Sequence, residues 1–481
     1  MKTKVLKFGG TSVADPEKIH RAAERAVLAR RRGWAVVVVV SAPGQMTDEL
    51  IHLGRRVVAE PDPRETDQLV ATGEVVGTAL FAMACIGLGR GAVSLTGTQA
   101  GIRTAGPHGG ARIDRIRPDR VLTELRRGRI VVVAGFQGED PCGDTATLGR
   151  GGSDLTAVAL ASALGARHCE IYSDVKGVYT ADPRIVPDAR KLSAISFDEM
   201  LELSSAGAQV MQPRSIELAR GALIPLQVRS AFHPQEGTWI VPEGSGGKGS
   251  PSSRRPSMAC AVTEKTQVSS LALDKGEVRL SIIDIPDRPG AAAAVLSRLA
   301  GACVPLDMIL QSAPGRSGTN SLSFMTDRSH AARARQALQE AARRLRAQGG
   351  RAGETARVEE DESVAKVSVV GTGLSRSPEV ASLMFETLAR SRINIHMIEA
   401  SDLRISAVVE ARQGERAVRA LHKAFRLGAR REPPQGHLTR ARVFRYTEHA
   451  LRRTARNPPK GSYKEAVRAE RHGRRRVKLR A

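Results

Sequence analysis

At 481 residues, with 41% hydrophobic and 26% charged side chains, the chain is long enough for two or three soluble cores, since single cores stop growing near about 250–300 residues. Aromatics are only 3%, so those cores must rest on Val, Leu, Ile and Ala, and the longest β-branched run, 35–40, falls far short of the ~20 apolar residues that span a bilayer. The net charge of +24 suggests nucleic acid until it is located: residues 429–481 hold seventeen Lys/Arg against four Glu, so more than half of the excess lies in one tail and says little about folded domains.

Nothing like a signal peptide precedes the first apolar run, and five cysteines without Cys-x-x-Cys spacing read as reduced, mostly buried thiols. A cytoplasmic protein without membrane attachment, disulfide or zinc site is expected. In chain order, strands are predicted at 5–8, 35–41, 92–94, 130–134, 169–173 and 226–228, with helices at 16–32, 74–86, 119–127 and 155–164 between them. Asp15 before Pro16 is a helix-start signal. Such alternation predicts an α/β domain with a mostly parallel sheet over 1–241. Residues 242–264, rich in Gly, Ser, Pro and basic side chains, read as a flexible linker. Two β-α-β-β-α units of ferredoxin-like α+β type follow, at 265–350 and 358–428. A repeated small module after a catalytic domain suggests regulation. Residues 429–481 read as a disordered basic tail, whose Arg474-Arg475-Arg476-Val477-Lys478 is a candidate for non-specific nucleic-acid contact without an aromatic platform.

Three glycine-rich turns carry the chemistry. Lys7-Phe8-Gly9-Gly10-Thr11-Ser12 follows a strand, lets backbone approach a phosphate and sets a cation beside it, but it is not a P-loop. Gly149-Arg150-Gly151-Gly152-Ser153-Asp154 opens a helix; Ser153 or Asp154 can cap it, and Arg150 can grip a carboxylate bidentately. The stretch from Ser173-Asp174 through Tyr179 to Asp182-Pro183-Arg184 leaves a strand's C-terminal end, where open α/β sheets bind ligands.

Together with Ser41-Ala42, Thr72-Gly73-Glu74 and Phe136-Gln137-Gly138, these motifs closely resemble the aspartate kinases of the amino acid kinase superfamily. The C-terminal units resemble that family's paired ACT domains, with Asp307-Met308-Ile309-Leu310-Gln311 and Asn394-Ile395 in the regulatory places. The resemblance covers residues 2 to about 428. It implies transfer of the ATP γ-phosphoryl to the β-carboxylate of L-aspartate, with Mg²⁺ carried mainly by nucleotide oxygens and water. Lys7 would stabilise the transferring phosphoryl, with Arg150 and Asp154 the other catalytic side chains. Phe8, Gly9, Gly10 and Ser41 would lie near the phosphates. Thr47, Glu74, Arg150, Gly151, Gly152 and Ser153 would hold aspartate, and Ser173, Asp174, Tyr179, Asp182, Arg184 and Gln209 would line the nucleotide. No protein metal site is implied. Lysine or threonine are the implied effectors, and a homo-oligomer paired through ACT units the implied assembly.

The sequence departs from that pattern. Gln209 stands where family members usually carry a nucleotide-contacting lysine, so a catalytically weakened or silent amino-acid-sensing homologue is the competing reading. Ile398-Glu399-Ala400-Ser401-Asp402 and Thr319-Asn320-Ser321 replace hydroxyl-rich and acidic family stretches, which implies weakened inhibition or a changed effector. Kinases of glutamate, acetylglutamate or UMP share glycine-rich loops but not the Lys7–Ser12 form followed by paired ACT units.

Overall fold

Valine-rich runs buried on both faces organise the N-terminal half. In the computed structural model of the chain, which describes residues 2–242, 267–313, 318–348 and 356–428, β1 (Thr3–Phe8) lies beside β2 (Ala35–Val40), whose six residues are all buried. Between them runs α1 (Pro16–Arg31), opened by Pro16 and by the Asp15 carboxylate accepting from the Lys18 N–H. Then come α2 (Met46–Val57), which the sequence reading did not anticipate, and α3 (Pro63–Gly87), expected to start at 74 but begun by Pro63 behind an Asp62 cap. The chain continues through β3 (Ala92–Leu95), β4 (Ile102–Ala105), β5 (Arg112–Ile116), α4 (Asp119–Arg126), β6 (Ile130–Ala134), β7 (Gln137–Glu139) and β8 (Thr145–Thr147). It closes with α5 (Gly152–Ala163), β9 (Cys169–Ser173), β10 (Ala194–Ser196), α6 (Phe197–Ser205), α7 (Pro213–Ala222), β11 (Leu226–Ser230) and β12 (Thr238–Val241).

The main sheet has the order β10-β12-β11-β9-β1-β2-β6-β3, parallel except where β11 meets β12. Helices α1 and α3 cover one face through Ile19, Val27, Phe81 and Cys85; α4 to α7 cover the other through Leu125, Val158, Phe197 and Ile216. Helix α3 is long and apolar enough to cross a membrane by composition, but half of it is buried within the fold, and it carries two buried carboxylates, Asp67 and Glu74. A second, small sheet, β5-β4-β7-β8, stands beside the first. Of the described cysteines, Cys85 and Cys169 are buried while Cys142 and Cys303 are exposed, so burial is less general than expected.

Beneath the sheet's centre, Glu170 of β9 gathers Lys4 (2.7 Å), the Tyr172 hydroxyl (2.8 Å), His168 (3.3 Å) and Arg229 (3.7 Å). Burial alone would raise its pKa, but the His168 hydrogen bond and Lys4 outweigh burial and hold it far below the ordinary carboxylate range. The folded pKa lies below the unfolded one, so this stability is present above about pH 4.5 and is lost as pH falls. Glu170→Ala leaves partly buried Lys4 and Arg229 and buried His168 without their carboxylate, and is expected to cost about 3 kcal/mol in a urea-unfolding measurement.

The C-terminal half comprises β13 (Gln267–Asp274), β14 (Glu277–Pro286), α8 (Ala291–Gly301), β15 (Asp307–Gln311), β16 (Thr319–Asp327), α9 (Ala331–Gln348) and β17 (Arg357–Asp361), then β18 (Val364–Thr372), α10 (Pro378–Arg390), β19 (Met397–Ala400), β20 (Arg404–Glu410) and α11 (Gly414–Ala424). The strand order is β15-β16-β14-β17 in one sheet and β13-β18-β20-β19 in the other. Each sheet carries two helices, as the ferredoxin-like expectation requires. The division at 265–350 and 358–428 is corrected by the pairing: β13 hydrogen-bonds β18, so it belongs to the second unit, while β17 completes the first. The first unit is inserted within the second. The linker, apart from Pro242, and the basic tail lie outside the described residues.

Candidate active site

The C-terminal ends of β1, β2, β6 and β9 form one rim. Lys7, next to last in β1, points its ammonium at Asp154, 2.6 Å from Oδ1, with both side chains about nine-tenths buried. Asp154 is therefore not the cap of α5. That helix starts at Gly152 behind Gly151 at φ 74°, with no side-chain cap, which frees the Asp154 carboxylate for Lys7. The Gly9 N–H is spent on the Tyr172 carbonyl at 3.2 Å, tying the first glycine turn to β9. Gly10 is a packing requirement, because a Cβ there would sit 2.7 Å from the Ala42 carbonyl oxygen. Gly10→Ala is expected to push apart the turns carrying Lys7 and Ser41, lowering kcat/KM at least tenfold (about 1.4 kcal/mol) with a lowered Tm, read by steady-state kinetics and thermal melting.

On the opposite wall α3 presents Glu74, whose Oε1 accepts from the Ala42 N–H at 3.1 Å while Oε2 has no hydrogen-bond partner among the described residues. Burial pushes its carboxyl up to about 7. Half-buried Thr47 lies in the first turn of α2. The 148–154 loop is clamped from both sides. Arg214 donates to the Leu148 and Ala111 carbonyls (2.8 and 3.2 Å), and a Cβ on Gly151 would fall 2.0 Å from Gln212 Cγ. Buried Ser153 packs on Gly135. Arg150 is exposed, close enough to Asp327 of β16 to help hold that carboxyl low against burial, behind the larger effect of Ser329.

Sequence reasoning missed Asp67. Its buried carboxylate accepts from the Thr147 N–H (2.8 Å) and hydroxyl (2.5 Å) and from the Gly109 N–H (3.0 Å), and meets His108 Nδ1 at 2.9 Å. It binds α3, β8 and the 108–110 turn into one block beneath the Arg150 loop. The available signal was spacing: Asp67 and Glu74 are two acids one heptad apart on an apolar helix.

The residues expected from the sequence to line the nucleotide are less gathered. Ser173 donates to Asp174 at 2.8 Å, and Asp182 takes a bidentate grip from Arg184 (3.0 and 2.7 Å). Tyr179, Asp182 and Arg184 ride a segment that crosses from β9 to the second C-terminal unit, and Gln209 is exposed in the turn between α6 and α7. Among the described residues no His, Cys, Asp and Glu cluster could hold a metal.

Among the residues expected from the sequence to be regulatory, Asp307 is engaged by fully buried Lys366 (2.6 Å) and by Arg404 (3.6 Å). Arg404 also reaches Glu399 (2.6 Å) and, in the catalytic domain, Glu202 of α6 (3.5 Å). Gln311 ends the edge strand β15, and Asn394-Ile395 precede the edge strand β19. Both edges expose apolar side chains, Ile309, Leu310 and Ile398.

Residues 2–230 match the amino acid kinase family and residues 367–425 the ACT domain. The aspartokinase of Corynebacterium efficiens is 42% identical over 430 residues, covering 89% of this chain and 97% of that one. The fold superposes on E. coli aspartokinase III in complex with aspartate and ADP in its R-state, with a TM-score of 0.71 and 27% identity over 88% of this chain and 99% of that one. The same enzyme with lysine and aspartate in its T-state gives 0.64 at 27% identity, over 88% of this chain and all of the other. With close relatives matched over nearly their whole length, the chain belongs to the aspartokinases, phosphotransferases with a carboxyl group as acceptor, built from an amino acid kinase domain and paired ACT domains.

Proposed function

We propose that the chain transfers the γ-phosphoryl of ATP to the β-carboxylate of L-aspartate, giving ADP and 4-phospho-L-aspartate, the first step toward lysine, threonine, methionine and diaminopimelate, in the cytoplasm. The observation that carries this reading is the buried Lys7–Asp154 pair at the rim, faced by Glu74 and the Arg150 loop. The acceptor carboxylate is already ionised at neutral pH, so no general base is required; two anions must be aligned and their charge offset. Lys7 would meet the transferring phosphoryl, held in place by Asp154. Gly10 and Ser41 would face the phosphates, with the Phe8-Gly9 backbone holding the turn through its bonds to the Ser41 N–H and the Tyr172 carbonyl. Arg150 would take the α-carboxylate of aspartate and Glu74 its ammonium group, with Thr47 and the Gly151-Gly152-Ser153 turn closing round it. Mg²⁺ would arrive with ATP, since a lone carboxylate already paired with lysine suits an ion held by phosphate oxygens and water.

Ser173, Asp174, Tyr179, Asp182, Arg184 and Gln209 would line the nucleotide. Gln209 offers no charge there, and Gln209→Lys is expected to lower the KM for ATP by about tenfold, the worth of one charge-assisted hydrogen bond. Regulation by lysine or threonine at Asp307, Gln311, Asn394 and Ile395 would be weakened, because Arg404 holds Glu399 where the family has hydroxyls. Inhibition by either amino acid at sub-millimolar levels would contradict that. The exposed edge strands β15 and β19 suit pairing with a second copy. ADP release measured with aspartate, glutamate, acetylglutamate and UMP as acceptors tests the reaction itself: aspartate alone is expected to support turnover, and preference for another acceptor would overturn the assignment.

A further inference from the structure

The segment carrying Tyr179, Asp182 and Arg184 is built into the second ACT unit. Its Ala181 and Val186 lie in one core with Leu271 of β13, Val367 and Val369 of β18, and Leu421 and Phe425 at the end of α11. At its centre Thr180 is fully buried. Its carbonyl accepts from the Leu271 N–H at 2.8 Å, and its N–H donates to the Arg190 carbonyl at 2.9 Å. The Thr180 hydroxyl accepts from the Arg190 N–H at 2.9 Å and faces His422 Nε2 of α11 at 3.0 Å. With Asp188 Oδ1 3.8 Å from Nδ1 favouring the ring proton there, the Thr180 hydroxyl would donate its own proton to Nε2. Burial, the larger influence, holds the His422 pKa below its ordinary value despite Asp188, which keeps the ring neutral and able to accept.

We propose that His422 is a positioning residue for the nucleotide: by holding Thr180, the last helix of the second ACT unit fixes the 179–184 segment and so sets the affinity for ATP. The inference rests on the reading that this segment lines the nucleotide. It gives the regulatory half a direct grip on one substrate, separate from the Arg404–Glu202 contact to α6.

Four variants of the full chain, measured for KM and kcat with each substrate and for Tm, test it. His422→Leu removes the acceptor and is expected to raise the KM for ATP about five- to tenfold while leaving the KM for aspartate unchanged. His422→Gln, whose Oε1 can replace Nε2 as acceptor, is expected to restore most of the loss. Thr180→Val removes the hydroxyl from the other side, and should reproduce the His422→Leu phenotype. Asp182→Asn probes the segment itself and should also raise the KM for ATP. If Asp182→Asn raises that KM while His422→Leu and Thr180→Val do not, the role given to the His422–Thr180 contact is wrong and the nucleotide segment stands. If Asp182→Asn changes nothing, the segment reading fails and the proposal with it. A fall in Tm with both KM values moving together in His422→Leu, not rescued by glutamine, would make the contact purely structural and overturn the proposal. Should His422→Leu not fold, Thr180→Val and His422→Gln carry the same comparison.

Discussion

Lys7→Met is expected to lower kcat by about two to three orders of magnitude, the usual cost of losing one preorganised charge aimed at a transition state. Lys7 lies on the strand flanked by β2 and β9, so the sheet fixes its Cα and Asp154 fixes its ammonium at 2.6 Å. Such a group stabilises charge without reorganising during the reaction. The KM for aspartate should change less than kcat, because Glu74 and Arg150 lie on α3 and on the turn before α5, and Lys7 touches that turn only through Asp154. Lys7→Arg keeps the charge but not the shape, since the ammonium sits in a pocket that is about nine-tenths closed, and it should recover only part of the rate. Asp154→Asn should cost less than Lys7→Met, because it loosens the lysine without removing the cation. Steady-state kinetics with Tm on each variant separates these outcomes.

The second large effect concerns Glu74 and pH. With its carboxyl pushed up to about 7 by burial, the site without substrate is mostly protonated below neutrality. If Glu74 takes the ammonium group of aspartate, it does so as the carboxylate, and substrate binding releases that proton. The KM for aspartate should therefore fall about tenfold per pH unit on approaching 7 from below, and level off above it. Glu74→Gln should flatten the profile and raise the KM at pH 8 by about ten- to a hundredfold, the worth of a hydrogen bond to a charged group. The stability effect has the opposite sign to that of Glu170. Here the folded pKa exceeds the unfolded 4.5, so the folded state keeps a proton that the unfolded chain has released. Stability is favoured below pH 4.5 and falls through the window from 4.5 to about 7, by at most about 3 kcal/mol. Glu74→Gln should accordingly melt higher than the parent at pH 8, and a lower Tm there would contradict the burial argument.

Much of the fold was legible because the signals are local. The valine run of β2 announces a strand buried on both faces, and Asp15-Pro16 announces a helix start. What local pattern does not hold is partnership across the chain. Nothing in Gln267–Asp274 says that it pairs with β18 and not β14, because either register buries the same alternate side chains. The three-residue strands β7 and β8 are too short to show a period. Helix α3 began earlier than expected because its first turns are polar and one of those acids, Asp67, is buried by hydrogen bonds instead of apolar contact. At the candidate site, the glycine motifs fall at the rim, and of the two side chains that could cap α5, Ser153 and Asp154, neither does so. A serine or aspartate at a helix start is usually a cap, and only the left-handed Gly151 turn shows that Asp154 is free for Lys7.

If Lys7 and its glycine turns bring two anions together for direct transfer, the acyl phosphate can be trapped. That transfer is tested most directly by incubating the protein with ATP, Mg²⁺ and aspartate in the presence of hydroxylamine. Stoichiometric aspartyl β-hydroxamate and ADP are expected from the parent chain, with formation at least about a hundredfold slower from Lys7→Met. A folded sample that yields no hydroxamate, or a Lys7→Met variant that yields it at the parent rate, would contradict the account.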